Sequence, residues 1–187
     1  KTMSNVFSKD ELVGINQVMH FMDSLTLVSD PTTSLENAYH NFFDSLGTTA
    51  YDLGIGGIAL DEPYKYAFFN RLDSSVFKML WINEEPGYVR TKDTTIHNPP
   101  NYHSIDANTN GTLMRYFREL KRKEKVFKDI YIAIESSGSV TIPSLVAGIL
   151  SRHQRLDFSK MDLRFWAAIF YLSLEESVEQ KVKRYYK

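Results

Sequence analysis

Residues 163–174 read LRFWAAIFYLSL, and this stretch decides the fold because its apolar side chains occupy every side of a helix. A helix that is apolar all round is buried among several neighbours and does not lie on a surface. Working outward, the periodicity of residues 9–27 and 112–135 predicts amphipathic helices that pack around this centre. The sequence therefore predicts an all-α fold, a single-domain bundle of about six or seven helices spanning residues 1–187.

Capping residues predict where several of these helices begin. Ser8 followed by Glu11 fits a capping box ahead of residues 9–27. Ser159 followed by Asp162 resembles a second capping box ahead of the central stretch. Beyond residue 174 the apolar positions narrow to a single face, which predicts that the C-terminal part of the chain emerges toward solvent.

Proline and glycine residues predict the ends of further helices. Asp30-Pro31 predicts the start of a helix over residues 31–46, with Gly47 as its C′ residue. Shorter helices are predicted over residues 61–72 and 144–152.

Residues 48–60 are predicted to be irregular, because Gly54, Gly56 and Gly57 interrupt the helical pattern. Their spacing fits neither a P-loop nor a dinucleotide-binding fingerprint, and no Lys-Ser or Lys-Thr pair follows them. These glycines therefore predict a bend between helices and no nucleotide site.

The stretch 76–91 permits two structures. A short apolar run such as residues 76–82 fits a helix or a strand equally well. Asp73 as an N-cap favours a helix, whereas the turn at Pro86-Gly87 leaves one short β-hairpin as the alternative.

Composition excludes several kinds of protein. The 187 residues carry 22 Lys and Arg against 23 Asp and Glu, so the net charge of -1 argues against a nucleic-acid partner. There is no cysteine, which excludes disulfides, thiolate metal sites and a cysteine nucleophile. No apolar run reaches the length of a transmembrane helix. The start at Lys1 fits an exported bacterial protein or lipoprotein whose leader has been removed, and fits equally a cytoplasmic protein with a residual tag.

The most informative region for function is a long polar loop at about residues 84–111, EEPGYVRTKDTTIHNPPNYHSIDANTNG. Loops of this length inside a compact domain are uncommon and are functional or disordered. Tyrosine and arginine are enriched at interface hot spots, so the candidate contact residues are Tyr88, Arg90 and Tyr102, with His97 and His103 beside them. This pattern favours a non-catalytic binding protein that uses the loop to hold a protein or a small molecule.

The same loop carries the first alternative, a hydrolase or metal-dependent enzyme. His97 and His103 would lie in its site, with Glu84, Glu85 or Asp106 assisting them. However, no HExxH or EF-hand spacing is present, so no metal and no cofactor is predicted. The other histidines are predicted to be ordinary, with His20 and His40 solvated and His153 in a turn between helices.

A second alternative uses a basic helix face. In a continuous helix over residues 112–135, Arg115, Arg118, Arg122 and Lys125 project from one side, opposite the apolar stripe. Such a face suits phosphates or an acidic protein, although most charged helix faces serve only to contact water.

Overall fold

The computed structural model describes residues 2–53 and 62–186, and within them the chain is mostly helical, as the sequence predicted. The helices are α1 (Thr2–Val6), α2 (Lys9–Thr26), α3 (Leu35–Leu53), α4 (Glu62–Phe69), α5 (Ser74–Leu80), α6 (Thr112–Leu120), α7 (Lys125–Ser137), α8 (Pro143–Leu150), α9 (Met161–Ser173) and α10 (Val178–Tyr185). A short 3-10 turn, His153–Arg155, joins α8 to α9. Four short strands are also present: β1 (Trp81–Glu84), β2 (Tyr88–Arg90), β3 (Thr95–His97) and β4 (Ser104–Ala107).

These ten helices exceed the six or seven that were predicted, for three reasons. The stretch 112–135 was expected to be one helix and is two, α6 and α7. The C-terminal region likewise divides into α9 and α10, and the five-residue α1 had no signal in the sequence.

Helix α9 forms the centre of the core, as the apolar stretch predicted. Six consecutive residues, from Phe165 to Phe170, have no solvent exposure. The helix contacts α2 on one side and β4 on another. The second predicted capping box is wrong, because Ser159 donates its hydroxyl to Asp157 and Asp162 accepts a hydrogen bond from the phenol of Tyr116. Packing contacts thus take the side chains that would have capped the helix.

The start of α2 agrees with its prediction. Ser8 N donates to Glu11 Oε2 at 2.7 Å, and Glu11 N donates to Ser8 Oγ at 3.3 Å, which completes the capping box. Helix α2 also approaches α5 closely, and a Cβ atom added at Gly14 would lie 2.4 Å from Val76 Cγ2. Only glycine allows this approach without a shift of one helix.

The predicted limits of the next helix are wrong at both ends. Helix α3 begins after Ser34, whose Oγ accepts from Asn37 N, and not at Pro31. It then continues through Gly47 to residue 53, so Gly47 is not a C′ residue. The predicted bend at Gly54, Gly56 and Gly57 lies outside the described residues.

The basic stretch also departs from its prediction. Residues 121–124 form turns between α6 and α7, although lysine, arginine and glutamate are good helix formers. In this turn the ammonium of Lys121 lies 3.6 Å from the ring centroid of Tyr131, and Lys123 Nζ donates to Thr2 Oγ1 at 2.9 Å. Helix α7 ends at Ser137, and its C-cap Gly138 adopts a left-handed conformation with a φ of 76°.

Candidate interaction site

The long polar loop contains paired β-strands, which corrects the prediction of a wholly irregular excursion. Strand β1 pairs antiparallel with β4, and β2 pairs antiparallel with β3 further out. Asn98 N donates to Gly87 O at 2.7 Å between the two pairs. Residues 81–107 therefore form one interrupted β-hairpin, called the β-arm below. A short β-hairpin is thus present, as the alternative for residues 76–91 allowed, but its strands pair differently, since β1 and β2 do not pair with each other.

The segment between β3 and β4 contains two left-handed residues. Asn98 and Asn101 have φ angles of 46° and 59°, and they flank Pro99-Pro100. Asparagine tolerates this conformation better than most residues do, and proline fixes its own φ. The chain therefore leaves β3 with little freedom before it enters β4.

The tip of the β-arm has two different faces because directly opposed residues in an antiparallel pair point to the same side. Val89 lies opposite Ile96, and both turn inward. The neighbouring positions turn outward, and this outer face consists of Tyr88, Arg90, Thr95 and His97. Tyr88 is 62% exposed, more than any other tyrosine among the described residues.

Helix α10 supports the inward side of the tip. Val89, Tyr102 and Val182 form a small buried cluster that is separate from the main core. Tyr186 donates its hydroxyl to Pro100 O at 2.5 Å, which joins the end of α10 to the segment between β3 and β4. The β-arm covers one side of α10, where Lys181 and Val182 are buried, while residues 183–185 are exposed, so the C-terminal region reaches solvent on its other side. The capping box that starts α10, Ser177 with Gln180, was present in the sequence but was not recognised.

The base of the β-arm belongs to the main core. Trp81, Ile105 and Ala107 are buried there, and Trp81 Nε1 donates to Ser173 Oγ of α9 at 3.1 Å. An arm that is held at its base and along its inner side keeps its outer face in one orientation.

A group of charges also fixes the β-arm, and we call it the charged cluster; it consists of the buried Glu62, Lys65 and Lys181 and the half-buried Glu175. Lys181 is 2% exposed, and its Nζ donates to His103 O at 2.6 Å and to Tyr66 Oη at 3.1 Å. It also pairs with Glu175, and it lies 3.5 Å from Glu62 Oε1. One ammonium therefore joins α10, α4, the segment after α9 and the β-arm.

Burial changes the acidity of the charged cluster. Burial raises the pKa of Glu62, and the positive charge of Lys181 opposes the rise. Burial also disfavours the charged form of Lys65 and therefore lowers its pKa, while the negative charge of Glu175, 3.2 Å away, opposes the decrease. Within the described residues Glu62 Oε2 has no hydrogen-bond partner, so this carboxylate depends on its neighbouring cations.

The predicted contact residues fall into two groups. The structure brings Tyr88, Arg90 and His97 together on the outer face. Tyr102 is only 6% exposed and lies under the tip, where burial raises the pKa of its phenol to about 12. His103 is half-buried near the base, with Nδ1 at 3.1 Å from Asn83 Nδ2.

The candidate metal ligands are dispersed along the β-arm. Glu84 ends β1 opposite Ser104, while Asp106 lies opposite Ile82 in the same pair. Burial raises the pKa of Asp106, and hydrogen bonds from Ser139 and Ala107 oppose the rise. Within residues 2–53 and 62–186, no three His, Asp or Glu side chains come together in a group able to hold a metal ion.

The predicted basic face is divided by the break between α6 and α7. Arg115 and Arg118 lie on α6, where they donate to Val6 O at 3.0 Å and to Tyr131 Oη at 3.3 Å. Arg122 lies in the turn and pairs with Glu119 at 2.8 Å. Lys125 begins α7. The four cations therefore do not share one continuous helix surface.

Sequence patterns also missed a histidine pair. His40 is half-buried and not solvated, and its Nδ1 lies 3.1 Å from Nδ1 of His153. His153 is 2% exposed, and its Nε2 lies 3.0 Å from Asp44 Oδ1. His20 is exposed, as predicted. No spacing in the sequence links residues 40 and 153, so only the fold brings these rings together.

Comparisons of the chain with protein-family models, with curated proteins and with solved structures gave no match. Among the helices within residues 2–53 and 62–186, none has the length and apolar content needed to cross a membrane. Function is therefore inferred from the geometry of the β-arm and of the surfaces around it.

Proposed function

We propose that this chain is a non-catalytic binding protein whose contact surface is the outer face of the β-arm. The single observation that carries the proposal is the asymmetry of the tip. Val89 and Ile96 anchor one side on α10, while Tyr88 and Arg90 extend from the other side. The residues of the outer face do not belong to the buried core, and one of them is the largely exposed Tyr88.

Tyrosine and arginine suit such a role for physical reasons. Each provides a large contact area together with hydrogen-bond donors, and both are enriched among the residues that dominate binding energy. Arg90 is exposed, and its side chain forms no hydrogen bond or ion pair among the described residues. Its guanidinium is therefore available to a carboxylate of a partner.

The support beneath the tip lowers the cost of binding. A flexible loop loses conformational entropy when it binds, and that loss reduces affinity. The β-arm is already held by Tyr186 at Pro100 and by Lys181 at His103, both in the segment between β3 and β4. Its outer face is therefore ordered before a partner arrives.

Site-specific photo-crosslinking tests the proposal. A benzophenone amino acid placed at Tyr88 should give a discrete adduct in extracts of the native host, and Arg90→Ala with His97→Ala should remove that adduct. The matched control is the same amino acid at Tyr64, which is 47% exposed on α4. Equal adducts at the two positions, or none at position 88, would reject the outer face as the contact surface.

A further inference from the structure

A groove lies on a different part of the molecule from the β-arm. It has a volume of about 560 Å³, and its walls come from the first turns of α7 and α9, from α8 and from the residues around the 3-10 turn. Binding sites for small molecules span roughly 300–1,000 Å³, so the groove has a suitable size.

The floor of the groove is apolar. It is formed by Val126 and Ile130 of α7, Leu145 and Ile149 of α8, and Leu156 after the 3-10 turn. Gly148 leaves additional room, since a Cβ atom at this position would meet nothing within 4 Å. An apolar chain or ring placed here would be removed from water on several sides.

The rim of the groove is positively charged once its internal ion pairs are counted. Lys160 is occupied, because its Nζ donates to both carboxylate oxygens of Glu124 at 2.9 and 3.0 Å and lies 3.8 Å from Asp157. The side chains of Arg152 and Arg155 form no hydrogen bond or ion pair within the described part of the chain.

The remaining rim charges cancel only one of these arginines, because Glu124 and Asp157 share the single cation of Lys160 and leave one negative charge over. Lys125 and Asp129 also lack an ion pair among the described residues, and they offset each other in the charge balance. The N-termini of α7 and α9 lie on the same wall and have no side-chain cap, so their helix dipoles add positive potential. Two unpaired guanidiniums therefore stand beside an apolar floor.

We propose that this groove binds a small amphipathic carboxylate, with its head on Arg152 and Arg155 and its apolar body on the floor. Arginine binds carboxylates through two parallel hydrogen bonds, which explains the preference for this head group. The groove has 15 lining residues, whereas a protein interface of standard size takes about 20–30 from each side. The size of the groove therefore favours a small molecule over a protein.

Titration of the intact chain with octanoate tests the proposal, with the amide resonances of residues 145–156 as the readout. Octanoate should shift these resonances saturably, while acetate and 1-octanol, each of which lacks one half of the ligand, should bind at least about tenfold more weakly. That ratio is expected when a charge-assisted hydrogen bond or the apolar contact is lost. Octyl phosphate that binds more tightly than octanoate would overturn the assignment of a carboxylate head.

Two kinds of variant separate the head from the body. Arg152→Gln with Arg155→Gln should weaken octanoate by at least about tenfold and leave 1-octanol unchanged. Gly148→Phe should abolish the binding of both, and it is compatible with folding because the space is open and glycine is a poor helix former.

The matched control is Arg71→Gln, since Arg71 is an exposed arginine whose Nε donates to Ala67 O in its own helical region. It should bind octanoate as the unaltered chain does. Undiminished octanoate binding by the double arginine variant, or by Gly148→Phe, would refute the site, as would the absence of any shift in residues 145–156.

Discussion

Replacing Lys181 with methionine should destabilise the protein strongly, because the charged cluster depends on this ammonium. The change removes the donor to His103 O and leaves Glu62, which has no exposure, without its ion pair to Lys181. Breaking a buried pair by removing one partner costs about 3–5 kcal/mol. At about 2–4 °C per kcal/mol for a chain of this size, the melting temperature should fall by roughly 6–20 °C.

Urea denaturation followed by circular dichroism measures this loss, and Lys183→Met on the same helix is the control because Lys183 is exposed. That control should change the free energy of unfolding by no more than about 0.5 kcal/mol. Adding Glu62→Gln to Lys181→Met should recover part of the loss, since glutamine retains an acceptor for Glu176 N without the buried charge.

The penalty of Lys181→Met should also shrink as the pH falls. Burial already raises the pKa of Glu62 above its value in the unfolded chain, so protonation favours the folded state. A Lys181→Met variant as stable as Lys183→Met, or a double variant less stable than Lys181→Met alone, would refute the role given to the charged cluster.

Three further predictions concern helix packing, histidine titration and capping. Gly14→Ala should lower the free energy of unfolding by at least about 1 kcal/mol more when Val76 is present than in a Val76→Ala background. Additive effects of the two substitutions in this double-mutant cycle would contradict the close approach of α2 and α5. Burial and the neighbouring His153 lower the pKa of His40, so stability should be lost as the pH falls from above 6.5 through the lowered pKa. His40→Gln should flatten that dependence in unfolding titrations and His20→Gln should not. Ser177→Ala should lower the unfolding free energy by about 1 kcal/mol through loss of a capping box, and an unchanged denaturation midpoint would argue against that cap.

Capping residues and apolar stretches in the sequence predicted the elements whose ends or burial they determine directly. The capping box at Ser8 fixed the start of α2, and Asp73 correctly indicated α5, where its carboxylate accepts from Ser75 N and Val76 N. The apolar stretch around Trp166 also identified the central helix, because a helix without a polar face must be buried.

Tertiary contacts decided the features that the sequence did not reveal. The strands at the tip are three residues long, so each offers one inward apolar residue, too few for an alternating pattern to be recognised. Lys181 adjoins Val182 on α10, and nothing in that neighbourhood indicates that both are buried. The break after Leu120 occurs among good helix formers, where contacts to Tyr131 and Thr2 override intrinsic propensity.

The structure gives the positions of the candidate contact residues, and their role in binding stays a prediction. Tyr88, Arg90 and His97 were selected as polar or aromatic residues of a long loop, and the β-arm does place them on one surface. Tyr102 was selected by the same reasoning, yet it supports the tip from below. Residue type alone cannot separate these roles, since the register of the strands decides which side each residue faces.

A nuclear Overhauser measurement between the methyl groups of Val89 and Val182 would show whether the outer face is held in place. Packing of the tip of the β-arm on α10 predicts a clear contact between them, together with β-strand chemical shifts for residues 88–97. No such contact, with random-coil shifts over residues 88–97, would show that the tip is free of α10 and would contradict an outer face ordered before binding.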